Sequence, residues 1–205
     1  MGYTVAFMTE QPASRFGTVE PAKLPPDLRT RVEGIAERSG FVPNVLRALG
    51  RRPDELRAFM DYHDALMNSD DGLSKSEREL IVVATSGANH CTYCVVAHGA
   101  ILRIRSGDPE LADRVATNPW SAELTPRQRA IVDLALIVAT EPESLSDDYL
   151  VAARAAGLSD EEIWDVGAIT ALFAMSNRLA HLAALRPNAE FFLMGREPVG
   201  HDGAR

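Results

Sequence analysis

Cys91-Thr92-Tyr93-Cys94-Val95-Val96-Ala97-His98 gathers both cysteines of the chain and a histidine into one short run. On a helix, residues three and four apart share a face, so the thiols stand one above the other and His98 lies over Cys94. A thiol acts as nucleophile or ligand only as the thiolate. A helix N-terminus, a nearby imidazolium or a Cys-x-x-Cys arrangement lowers its pKa from about 8.5 towards roughly 3.5 to 7.5. A disulfide closed over so short a loop constrains little of the unfolded chain, so the pair is a poor staple and a better redox couple.

The elements around this run must bring it a proton-handling partner. Upstream, Ser86-Gly87-Ala88-Asn89-His90 holds a helix breaker in Gly87 and an N-cap in Asn89, which places Cys91 and Cys94 in the first turn of a new helix. Before that break, Ser74 and Glu77 form a capping box that starts a helix through Leu80, Ile81, Val83 and Ala84. If the two helices fold back on each other at Gly87, a rise of about 1.5 Å per residue brings Glu79 level with His98, with Cys94 one turn nearer the bend. The predicted order is Glu79, His98, Cys94: a carboxylate orienting an imidazole that takes a proton from a thiol. An internal echo isolates the carboxylate, because Leu73 to Ala84 resembles Leu124 to Ala135 but carries Glu79 where the second copy has Ala130. Shared capping chemistry accounts for the echo as well as a repeat does.

Each of these residues also has an ordinary role to weigh. Glu79 could be a solvated residue or pair with Lys75 or Arg78, His98 could be a satisfied core histidine, and Tyr93 a packing aromatic. His90 and His63 default to the surface, and His181 and His201 carry no argument. A zinc site built from Cys91, Cys94, His98 and Glu79 is the metal alternative, but one Cys pair without a second is an incomplete structural set, so no metal and no cofactor is expected. A non-redox decarboxylase or hydrolase, and a redox-sensing or disulfide-exchanging protein, are the remaining alternatives.

Elsewhere, helix starts and stops dominate. Residues 1–26 read as an irregular arm broken by Pro12, Gly17, Pro21, Pro25 and Pro26, lying on the body or on a neighbour. Asp27 caps a helix towards Ser39, Pro43 and Pro53 open two more, and further starts fall at Asp108, Thr125, Ser146 and the capping box of Ser159 with Glu162. Pro187 ends the last helix, and no sustained period of two appears. The expected fold class is all-α, with one helical domain over 27–190 and a tail over 191–205. Among 205 residues, 21 basic against 29 acidic side chains leave a net charge of -8, and no basic stripe is interleaved with aromatics. No nucleic-acid or membrane partner is expected. Met1 to Glu10 lacks the basic and apolar regions of a leader, and Ala6 stands where a myristoylation motif wants Ser or Thr, so a cytoplasmic location follows, where Cys-x-x-Cys is metal-binding or redox-active.

Glu79 with Cys91-x-x-Cys94-x-x-x-His98 resembles the signature of the alkyl hydroperoxidase D (AhpD)-like proteins of the carboxymuconolactone decarboxylase superfamily. Phe41-Val42-Pro43-Asn44, Arg52-Pro53-Asp54, Tyr62 to Met67, Gly72-Leu73-Ser74, Tyr93 to Ala100 and Asn177-Arg178 are similar to its peroxidase-related branch. The resemblance implies an all-helical fold, homo-oligomers from dimers to hexamers, a hydroperoxide substrate and an external dithiol or thioredoxin-like reductant. It also implies that Cys94 is the peroxidatic thiol, Cys91 the resolving thiol, and His98 with Glu79 the proton relay. One position departs: well-known members carry a histidine just before the second cysteine, and here Tyr93 stands there.

Overall fold

The computed structural model describes residues 12–196, and every described element is helical. After a 3-10 turn at Pro21–Lys23, the chain forms α1 (Pro26–Ser39), α2 (Asn44–Leu49), α3 (Pro53–Met67), α4 (Lys75–Ala88), α5 (Thr92–Ser106), α6 (Leu111–Thr117), α7 (Pro126–Thr140), α8 (Asp147–Ala155) and α9 (Asp160–Ala183). Among the described residues no helix is long and apolar enough to cross a membrane.

The centre is α4, which packs on α5, α6, α7 and α9. Its sequence explains that position, because everything from Arg78 to Ser86 is buried. One apolar cluster joins Ile81 and Val82 to Ile131 and Leu134 of α7 and Val166, Ile169 and Phe173 of α9. A second joins Leu80 and Val83 to Leu102 of α5 and Leu111 and Val115 of α6. A third core lies between α1, α2 and α3, around Leu28, Leu46, Leu56 and Met60.

Burying the whole of α4 puts a guanidinium in the interior. Arg78 is fully buried and donates to the carbonyls of Leu73, Leu66 and Asp71 and to Asp165 of α9, at 2.7 to 3.1 Å. A charge out of water needs such saturation, and here it ties α3, the following loop and α9 to α4.

Capping boxes start α4, α7 and α9, at Ser74 with Glu77, Thr125 with Gln128 and Ser159 with Glu162. Arg127 of α7 then joins them, donating to Glu77 at 2.7 Å, to Glu162 at 2.5 Å and to the Gly157 carbonyl at 2.8 Å. The echoed helices α4 and α7 therefore share their capping chemistry.

Several boundaries differ from expectation: α6 begins at Leu111, three residues past Asp108, and α9 ends at Ala183, before Pro187 is reached. Asp27 sits within the first turn of α1, which begins at Pro26. Gly87 does not break α4 but lies inside it, where a Cβ would stand 2.7 Å from the Ala116 carbonyl oxygen, so glycine is there for the close approach of α6. Asn89 caps the C-terminus of α4 and does not start α5. His90, at a left-handed φ of 54°, turns the corner, and Cys91 is the N-cap. Of the expected arm, residues 12–25 lie on the body, where the Arg15 amide donates to the Ala183 carbonyl at 2.8 Å and the Arg186 amide to the Ala13 carbonyl at 3.0 Å. The expected tail begins inside a 3-10 turn, Ala189–Phe192, with Phe191 buried, and Arg103 of α5 donates to the Phe191 and Met194 carbonyls. Residues 1–11 and 197–205, with Ala6 and His201, lie outside the described residues.

Replacing Gly87 with valine is expected to cost about 1–3 kcal/mol by forcing α4 and α6 apart, seen as a lower urea midpoint at unchanged slope.

Candidate functional site

The antiparallel packing of α4 and α5 carries Glu79 to His98, whose Nδ1–H donates to the Glu79 carboxylate at 2.8 Å. Both side chains are largely buried, at 7% and 14% exposed. The partner in Nδ1 leaves Nε2 as the nitrogen free for other chemistry. Phe173 of α9 packs edge-on to the imidazole at 4.7 Å between ring centres, which fixes the ring plane.

Cys91, at the N-cap of α5, and Cys94, in its first turn, are free and buried. Their sulfurs hydrogen-bond to each other. The Cys94 thiol, then the Cys94 amide, His181 and the Asn177 side chain favour a Cys91 thiolate against burial and bring its pKa down to about 6. As donor in that bond, and buried beside a thiolate, Cys94 is held well above the usual thiol range. The reduced pair therefore carries one negative charge and one proton near neutral pH.

The corner that presents the thiols is built by α9. Asn177 is fully buried, donating to the Ser86 hydroxyl at 3.1 Å and accepting from the Asn89 amide at 3.1 Å, and its side chain favours the thiolate form of both cysteines. His181 Nε2–H donates to the Asn89 carbonyl at 2.9 Å. Sequence reasoning used neither residue at the thiols. The signal for Asn177 was its place in the Asn177-Arg178 pair of the family resemblance, which assigned it no role.

Cys94, His98, Glu79, His63 and Tyr93 all line one cavity of about 550 Å³, walled mainly by apolar side chains of α1, α2, α3, α5 and α9. Cys91 lies behind it. Among the described residues no hydrogen bond joins His98 to Cys94, so of the expected order the Glu79–His98 contact is direct and the step from imidazole to sulfur runs across the cavity. His63, expected on the surface, is half-buried with its ring 6.4 Å from that of His98. Burial, then the nearby His98, lowers its pKa, so it is neutral at pH 7. Tyr93 accepts a hydrogen bond from the Val45 amide at 3.0 Å, tying α2 to α5, and burial pushes its phenol above the ordinary range. His90 is the corner residue described above. Among the described residues no three His, Cys, Asp or Glu side chains are arranged to hold a metal ion.

A helical bundle that sets a Cys-x-x-Cys pair at a helix start beside a buried carboxylate and imidazole defines a dithiol protein of all-α type. The carboxymuconolactone decarboxylase family model matches residues 53–118, which span α3 to α6. A peroxidase-related protein of Ralstonia eutropha JMP134, described as an alkylhydroperoxidase AhpD core, is 54% identical, superposes with a TM-score of 0.90, and matches over 92% of this chain and 99% of its own. A second peroxidase-related protein, from Silicibacter sp. TM1040, is 35% identical with a TM-score of 0.84, over 94% of this chain and 100% of its own. The chain belongs to the AhpD-like proteins of the carboxymuconolactone decarboxylase superfamily. Human Sestrin-2 is 33% identical over 72 residues, 35% of this chain, and the match spans only 15% of the length of that curated relative.

One thiolate, not two, is expected per reduced chain at pH 7. Thiolate absorbance should rise through an apparent pKa near 6 as pH increases, and Asn177→Ala should move that midpoint upward.

Proposed function

We propose that this chain is a thiol-dependent hydroperoxide reductase in which Cys94 attacks the peroxide, Cys91 resolves the product, and His98 with Glu79 relays protons. The observation that carries the proposal is the placement of Cys94, with the Glu79-backed His98, on a largely apolar cavity that Cys91 does not line. The likeness to proteins described as peroxidase-related supports the same class.

The sulfur bond gives the reaction its first step. Its proton passes from Cys94 to Cys91, which moves the negative charge onto the sulfur that faces the cavity. The Cys94 thiolate attacks the terminal peroxide oxygen. A sulfur–oxygen bond forms, the oxygen–oxygen bond breaks, and the leaving alkoxide takes a proton relayed through His98 Nε2 to depart as the alcohol. The Cys91 thiol then attacks the sulfenic sulfur, a disulfide forms, and the hydroxide released takes the Cys91 proton and leaves as water. Two thiols have lost two electrons to one peroxide. An external dithiol or thioredoxin-like reductant, in a reducing compartment such as the cytoplasm, reopens the disulfide, and the low pKa of Cys91 makes its sulfur a good leaving group in that exchange. No cofactor or metal enters this sequence.

The same acidity favours a second reading, a disulfide-exchange or redox-sensing protein. Comparing the rates at which reduced protein consumes an organic hydroperoxide and a disulfide separates the two, and faster reaction with the disulfide would select the second.

Homo-oligomers form part of the proposal, supported by α9. Trp164, Ala168, Ala171, Met175, Leu179 and Leu182 recur at spacings of three and four along its outer face, and Trp164 is 73% and Leu182 58% exposed. Two such helices paired antiparallel about a point between Ala171 and Leu172 set Trp164 against the partner's Leu179.

Cys94→Ser should abolish hydroperoxide consumption with a dithiol donor, whereas Cys91→Ser should reach a sulfenic acid detectable by dimedone and stop there. Unchanged activity in Cys94→Ser would end the proposal. Glu79→Gln should lower turnover by about 10²-fold, within the usual range for general acid–base groups. Met175→Glu with Leu179→Glu should shift the protein to monomer in light scattering.

A further inference from the structure

Two solvent-exposed arginines that line the thiol cavity have no side-chain partner among the described residues. Arg31, Arg38 and Arg105 all line it. Arg31 is satisfied, since it donates to Asp61 at 2.6 Å and to Asp64 at 2.8 Å. Arg38 and Arg105 form no ion pair among the described residues. Their neighbours explain why. The position one turn before Arg38 is Gly34, and one turn before Arg105 is Ile101, where an acid would otherwise pair along the helix. Asp108, one turn beyond Arg105, is taken by Arg114. The carboxylates that line the cavity, Glu79 and Asp64, are engaged by His98 and Arg31. Burial keeps His63 uncharged. In a chain with a net charge of -8, the cavity thus presents two exposed cations that no carboxylate of the described residues neutralises.

The rest of the wall is apolar. Ile35, Val45, Leu46, Phe59, Met60 and Phe173 line the same volume as the arginines and Cys94. At about 550 Å³ it falls in the range of organic-ligand pockets, roughly 300–1,000 Å³, and is far larger than hydrogen peroxide needs, a single water taking about 30 Å³ in the liquid.

We propose that the preferred substrate is an organic hydroperoxide that also carries a carboxylate, held by Arg38 and Arg105 while its hydrocarbon fills the apolar wall and its peroxide group meets Cys94. The assignment rests on the hydroperoxide reductase reading for its chemistry, but not for its recognition. A guanidinium binds a carboxylate through parallel N–H···O bonds and cannot lose its charge near neutral pH, so the preference for the acid over its neutral ester is electrostatic and weakens as salt rises.

Recognition is measurable without any peroxide. Octanoate and methyl octanoate are compared as protectants of Cys94 in reduced protein against iodoacetamide, with labelling read by mass spectrometry. Octanoate should protect saturably at about tenfold lower concentration than the ester, a difference of about 1.4 kcal/mol. In the double variant Arg38→Ala with Arg105→Ala that ratio should fall to about one, and Arg38→Lys with Arg105→Lys should restore part of it. Equal protection by acid and ester, no protection by either, or a preference that survives the alanine variant would overturn the proposal. Failure of the peroxidase reading is seen separately, as hydroperoxide consumption unchanged in Cys94→Ser.

Discussion

A carboxylate and an imidazole, both removed from most of the solvent, hold each other at 2.8 Å between two antiparallel helices, and the geometry of the thiol corner is set by the same packing. Taking a carboxylate into a helix hairpin costs several kcal/mol unless a donor meets it. A one-residue slip of α5 against α4 would leave Glu79 unpaired and turn His98 away from Phe173. The pairing therefore selects a register as well as serving chemistry. Behind it, the fully buried Arg78, next in sequence to Glu79, is saturated by four oxygens from three parts of the chain and keeps α4 from rotating.

The electrostatics of the sulfur pair follow from where each atom sits. Cys91, at the start of α5, has an amide, a thiol and an asparagine side chain directed at it, so negative charge is stabilised there. Cys94 faces the cavity as the protonated member. The charge is stored behind the wall and the cavity presents a neutral sulfur, an arrangement that suits apolar contents. The expectation that His98 takes the proton from Cys94 left out this division, which the motif sets chiefly through the Cys94 thiol and amide and to which two side chains of α9 add.

Local signals were legible where local physics decides. The capping boxes at Ser74 and Ser159 are present as expected, because each needs only residues three apart. The all-α fold followed from the same punctuation, and the level match of Glu79 with His98 followed from helix rise once the two helices were taken to fold back on each other. Gly87 and Asn89 were misread because glycine and asparagine serve both ends of helices, and for Gly87 the reason lies in the Ala116 backbone, a distant neighbour. His63 and Asn177 escaped for a related reason: their burial is created by α5 and by the α4–α5 corner. Tyr93 was weighed as packing and as a departure from a relay, while its hydrogen bond to the Val45 amide depends on how α2 docks, which no spacing within α5 encodes.

The convergence on Arg127 has a consequence for how the molecule breathes. One guanidinium closes the starts of α4 and α9 from its place in the first turn of α7, so fraying at any of these three ends must give up contacts at the others. Solvent exchange of their first-turn amides is then expected to occur through a concerted event, slower than the independent loosening of α8, whose N-cap makes no side-chain bond. The end of the bundle opposite the sulfurs behaves as a clasp.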